Sequence, residues 1–168
     1  MSFIPNAHRG QALAILALLA AVSFPPLHAT TQEAYLKALN SDGWDRFGIS
    51  VAISGNTAIV GAHEEDSSAR GVNRDGDSNT SEDSGAAYIF VRGDDGQWTQ
   101  QAYLKASNAD ADDHFGESVA IDGNYAVVGA RQEDGSSSEV NGAGASNGSP
   151  GSGAAYVFKR DSNGNWVQ

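Results

Sequence analysis

The sequence predicts an all-β fold made of four-stranded antiparallel blades, a partial β-propeller of two repeats. Three observations carry that expectation. A unit of 68 residues occurs twice with no gap, so that Phe47, Gly61, Tyr88 and Trp98 recur as Phe115, Gly129, Tyr156 and Trp166. Repeats of such fixed period are supersecondary units that bury their faces against their neighbours. Each copy holds four short runs rich in Val, Ile, Tyr and Phe, the residues that strands favour. From Thr30 onward no stretch shows the 3.6-residue apolar period of a helix.

Ahead of the repeats, Met1–Gly10 carries Arg9 and no acid, Ala12–Val22 is unbroken apolar sequence, and Phe24-Pro25-Pro26 precedes the small residue Ala29. That order is the layout of a secretory signal peptide over residues 1–29, cleaved after Ala29. Its 11 apolar residues fall short of the roughly 20 needed to span a bilayer. We therefore expect export to the cell surface, periplasm or medium, with no membrane insertion of the mature chain.

In the first copy, residues 33–100, the expected strands are Ser50–Ser54, Thr57–Ala62, Gly85–Arg92, and a fourth from Trp98 through Gln101–Ala106. In the second copy, residues 101–168, they are Ser118–Asp122, Tyr125–Ala130 and Gly153–Arg160, with the fourth beginning at Trp166. Gly55-Asn56 and Gly123-Asn124 separate the first two strands, and both residue types tolerate the positive φ of a tight hairpin. In the third strand Ala86, Tyr88 and Phe90 alternate with Ala87, Ile89 and Val91. Both faces are apolar, so it lies in a sheet covered on both sides. The Tyr-Leu-Lys-Ala stretch alternates more clearly and suits an outer, half-wet strand, as do its counterparts Ala34–Ala38. Such a sheet is a propeller blade, and Gly61-Ala62 and Gly129-Ala130 suit a crowded axis. Residues 64–84 and 132–152 form long polar loops, of a length that is commonly functional or disordered.

These residues resemble a known family. Phe47-Gly48 with Gly61-Ala62, and Phe115-Gly116 with Gly129-Ala130, are similar to the FG-GAP repeats of integrin α-chain-like propellers. The order Tyr-Leu-Lys-Ala, Phe-Gly, Val-Val-Gly-Ala, Glu-Asp, Ser-Gly-Ala-Ala-Tyr-Val-Phe looks like the bacterial secreted form. The resemblance covers residues 33–168 and implies an extracellular propeller, commonly of seven blades, that binds partners or adheres. The sequence departs from the integrin pattern at His63 and Arg131, which replace the Pro, and in lacking the calcium loop ahead of it. Ser54–Thr57 and Asp122–Tyr125 are too short to supply the six or more oxygens that calcium takes.

The candidate sites are few. Asn108, Asp110 and Asp112 place oxygens at alternate positions, as a calcium loop begins, but the first copy has Trp44 in place of the third. We read the run as a polar turn, with calcium the alternative. Asp75, Asp77 and Asn79 are treated alike. Glu65-Asp66 and Glu133-Asp134 recur with the repeat, whereas a catalytic pair belongs in one singular place. We expect them to be blade-edge or loop-anchoring groups. No histidine spacing suits zinc, and Trp98 and Trp166 are read as blade packing. No catalytic, cofactor or metal residue is assigned, and the chain is not expected to be an enzyme.

The net charge of −11 disfavours nucleic acid and anionic membranes as partners. Without cysteine, stability rests on packing and sheet hydrogen bonds. The phase of the repeat gives one whole blade, one lacking its final strand, and a spare strand at Ala34–Ala38. We expect the chain to belong to a longer propeller. The alternative is a short chain that closes a ring from several copies, self-associating through open blade edges. The expected function is a secreted scaffold binding extracellular protein or glycan, and the alternative is non-catalytic blades of a propeller enzyme acting on polysaccharide.

Overall fold

The computed structural model describes residues 31–142 and 146–168. The expected signal peptide lies outside the described residues. The chain divides into two units, Met1–Gln32 and Glu33–Gln168, and the repeats occupy the second. Among the described residues no helix is long and apolar enough to cross a membrane.

The second unit is all-β. The strands are β1 (Ser50–Ser54), β2 (Thr57–Ala62), β3 (Ala86–Arg92), β4 (Trp98–Leu104), β5 (Phe115–Asp122), β6 (Tyr125–Ala130), β7 (Ala154–Arg160) and β8 (Trp166–Val167). They form two four-stranded sheets, β1-β2-β3-β4 and β5-β6-β7-β8, antiparallel throughout. These are two propeller blades. Gly55 and Gly123 take φ of 57° and 53° in the β1–β2 and β5–β6 turns, a region that costs glycine nothing.

Both faces of blade 1 are covered, as the two-faced β3 requires. On one side Ile59, Ile89 and Leu104 form a single core with Phe115, Val128 and Phe158 of blade 2. On the other, Val60, Tyr88 and Phe90 cluster with Phe47 and Leu36. Ile59 and Ile89 are wholly buried, and burial of each such side chain stabilises by about 1.5–3 kcal/mol. The Phe of each Phe-Gly pair packs edge-on against the same tyrosine, Phe47 on Tyr88 at 5.5 Å and Phe115 on Tyr156 at 5.4 Å. Blade 2 is covered on one side only. Val127 and Val157, the counterparts of Ile59 and Ile89, are exposed.

Three expectations change, and one is sharpened. Strand β5 begins at Phe115, not Ser118, because a bulge between Phe115 and Ser118 admits Gly116 at φ 96°. Ala34–Ala38 is not a strand: a lone extended segment has no ladder to join. Ala102–Ala106 is not half-wet, since every one of those residues is buried, Lys105 completely. The Gly61 site serves the contact between blades, because a Cβ there would overlap the carbonyl oxygen of Gly116.

Candidate functional site

The most elaborate polar structure is built around Glu65, immediately after β2. Its side chain is 3% exposed and that of Lys105 is 0% exposed. Lys105 Nζ donates to Glu65 Oε2 at 2.9 Å and to Ser84 Oγ at 2.7 Å. The Tyr103 hydroxyl and Asn40 Nδ2 donate to Oε1 at 2.9 and 3.2 Å, and the Ser67 backbone N–H donates to Oε2 at 3.3 Å. Burial pushes the Glu65 carboxyl up from its ordinary value, and the Lys105 ammonium opposes that shift. Burial likewise lowers Lys105, with Glu65 holding it charged. A buried pair survives only when its remaining polar atoms are satisfied, and here the donors meet both carboxylate oxygens.

The network fastens three segments together. Lys105 and Tyr103 arrive from β4 and just beyond it, which the repeat period assigns to the second copy. Ser84 and Glu65 stand at the two ends of the long loop. Gly85 N–H donates to Glu65 O at 2.8 Å, and Ser84 Oγ reaches Glu65 O and Ser67 O at 3.2 and 3.0 Å. The far side of the loop also meets this strand: Asn73 Oδ1 accepts from Tyr103 N–H at 2.8 Å, and Val72 bridges Leu104.

Blade 2 repeats the acidic half of this arrangement. Glu133 is buried and accepts from the Tyr156 hydroxyl at 2.7 Å, Asn108 Nδ2 at 2.9 Å and Gly135 N–H at 3.1 Å. The loop base is fastened as before, with Gly153 N–H on Glu133 O at 2.8 Å and Ser152 Oγ on Glu133 O and Gly135 O at 3.1 and 2.9 Å. Beside Glu133 a groove of about 790 Å³ runs between the loop residues Glu139–Gly142 and the edge of β7. The Asp113 carboxyl, also buried, is pushed up to about 6 by burial, with the negative Glu133 adding to the shift against a backbone hydrogen bond from Asp110.

Glu65 and Glu133 thus anchor loops, as their recurrence suggested. Sequence reasoning missed Lys105, the partner of Glu65. The signal was present, since a lysine recurs as Lys37 and Lys105 in otherwise apolar Tyr-Leu-Lys-Ala runs. The three calcium candidates are engaged separately. Asn108 bonds Glu133 and Tyr156, and Asp110 pairs with Arg70 at 2.6 Å and accepts from Asn147 at 3.2 Å. Asp112 stands with Asp83 and His114, whose ligand atoms lie within 4.8 Å of one another. There His114 faces the Asp83 carboxylate at 3.8 Å and the His63 ring edge-on at 5.3 Å. In the other candidate run, Asp75 Oδ1 caps the Asp77 N–H at 3.1 Å while Asn79 turns to Asp42 at 2.9 Å. Trp98 and Trp166 pack at the blade edges, each indole N–H bonded across the repeat, to Glu33 at 3.1 Å and Gln101 at 2.9 Å.

Two four-stranded blades that share one apolar core define a propeller-type repeat scaffold. The FG-GAP repeat family matches the chain twice, over residues 30–90 and 98–158, and the chain belongs to that family. Comparison with curated proteins and with solved structures gave no match.

Proposed function

We propose that this chain is a secreted, non-catalytic binding scaffold whose ligand contacts come from the outer parts of the two long loops. The observation that supports this reading is the contrast within each loop. The bases are fastened by the same bonds in both blades, including Asp83 N–H to Asp66 Oδ1 at 2.8 Å and its counterpart Gly151 N–H to Asp134 Oδ1 at 2.6 Å. The outer residues differ between copies, with Arg70 and Arg74 in one and Ser138 and Gly142 in the other. Rigid scaffolds that hold variable loops are a common way to build binding surfaces. The ligand class is an extracellular protein or glycan, and the acidic surface favours a basic or neutral one.

Two measurements test this. The mature chain, isolated from the culture medium of the producing cell, should begin at Thr30. Fluorescent mature chain, applied to a glycan array and to immobilised extracellular matrix proteins, should give a signal lost when Arg70, Arg74 and Asp77 are replaced by Ser with the circular dichroism unchanged. Retention of the chain in the cytoplasm, or binding indifferent to those replacements, contradicts the proposal.

A further inference from the structure

Four side chains that can ligate a metal converge where blade 1 meets blade 2. The end of the first long loop runs beside the entry to β5. Asp112 N–H donates to Glu82 O at 2.8 Å, His114 N–H to Asp83 O at 3.0 Å, and Phe115 N–H to Ser84 O at 3.1 Å. This pairing brings one ligand atom each from Asp83, Asp112 and His114 within 4.8 Å of one another. The fourth side chain, His63, directly follows β2, and its ring meets that of His114 edge-on with centres 5.3 Å apart. Two imidazoles on one tetrahedral zinc ion have ring centres about 5 Å apart, because each nitrogen stands about 2 Å from the ion. The His63 and His114 side chains are each 14% exposed. His63 Nδ1 is buried and has no hydrogen-bond partner among the described residues. A buried nitrogen left unpaired is costly, and coordination supplies what it lacks.

None of the four recurs. One repeat period away, Asp83, Asp112, His114 and His63 are replaced by Gly151, Trp44, Arg46 and Arg131. Groups that hold the fold together recur with it, as Glu65 and Glu133 do. Four donors found at one place in the repeat pattern answer to something other than the fold. They have no spacing that marks a metal motif, because they come from three separate segments of the chain.

We propose that His63, Asp83, Asp112 and His114 form a zinc site that joins the two blades. Imidazole nitrogens select zinc and its transition-metal neighbours, whereas magnesium and calcium favour oxygen ligands. His63 binds through Nδ1. Glu64 Oε1 lies 3.4 Å from its Nε2, and a carboxylate there takes the Nε2 proton and leaves the lone pair on Nδ1. His114 binds through Nε2, which lies 3.8 Å from Asp83 Oδ2. Its Nδ1 stands 3.2 Å from both Arg131 Nη2 and Gln132 Nε2. A guanidinium can only donate, so without an ion His114 keeps its proton on Nε2. The ion displaces that proton to Nδ1, where the Gln132 amide turns its oxygen to receive it. Arg131 falls back on Glu117, which it already meets at 2.5 Å. Arg131 therefore opposes the ion. The exposed Asp112 carboxylate opens the site to solvent, and the bound ion pins the loop base of one blade to the first strand of the next. The site does not depend on what the loops bind.

Isothermal titration of the untagged, metal-stripped chain with zinc chloride tests the proposal. A single zinc ion should bind per chain and raise the melting temperature, since an ion held only by the folded chain stabilises it. Cobalt chloride in its place should give the intense visible absorption of a tetrahedral site. His114→Ala should abolish binding. His63→Ala should weaken it by at least about the tenfold that losing an outer-shell partner costs. Arg131→Ser should tighten it, an effect that a merely structural role for these residues does not produce. Asp83→Asn keeps the size of the side chain and should weaken binding with the circular dichroism unchanged, which guards against misfolding of the alanine variants. Absence of zinc binding, zinc binding that survives His114→Ala, or calcium bound as tightly as zinc overturns the proposal.

Discussion

Lys105 is the residue on which blade 1 depends. Its ammonium is buried between Glu65 and Ser84, so Lys105→Met leaves a carboxylate buried without its cation, a loss of about 3–5 kcal/mol. The double replacement Lys105→Met with Glu65→Gln should recover most of that loss, because exchanging a whole buried pair for neutral groups is often close to neutral. Urea titration of the three proteins checks both. Asp113 sets a pH dependence. Its carboxyl titrates near 6 in the folded chain, because it is buried, against 3.8 as the ordinary value. Between those values the folded chain holds a proton that the unfolded chain releases, so this group adds stability as pH falls from about 7 to about 4. Asp113→Asn should flatten that slope in melting temperature measured across the window. Its amide oxygen can still accept the Asp110 N–H that Asp113 accepts at 2.7 Å.

Strands follow from local pattern, and the structure bears this out most fully where pattern is sufficient. β1 and β2 are Ser50–Ser54 and Thr57–Ala62, as the Gly-Asn turn and the apolar runs require. β3 is buried on both faces, as its alternation of Tyr88 and Phe90 with Ile89 demands. The misreading at Ala102–Ala106 has a physical cause. A lysine in an alternating strand reads as a wet face, and only a carboxylate 40 residues earlier in the chain makes that face dry. Periodicity has no access to such a pairing. The bulge at Gly116 was hidden for the same reason, since it exists to bring Gly116 against Ser50, whose Oγ donates to the Gly116 carbonyl at 2.7 Å. A replacement follows at this scale. Gly61→Ala would force a Cβ into backbone of the neighbouring blade, and overpacking of this kind costs about 1–3 kcal/mol. Gly129→Ala meets only the Ser118 side chain, which can rotate, so its cost in a single chain should be smaller. Paired chemical denaturation curves decide between equal and unequal losses.

For the molecule as a whole, the two blades share one apolar core, with Asn108 and Asp110 spent on separate partners. A chelator should leave the melting curve of the purified, zinc-free chain where it was, and a shift on adding calcium would point to the cluster of Asp83, Asp112 and His114. The family match secures the scaffold. The seam also bears on how such a protein is made. Glu65 and Lys105 stand 40 residues apart, and chains emerge from the ribosome at about 5–20 residues per second. For about 2–8 seconds the carboxylate is on hand while its cation is still unsynthesised. Blade 1 cannot close during that interval, so it reaches its final state only once translation has entered the second copy.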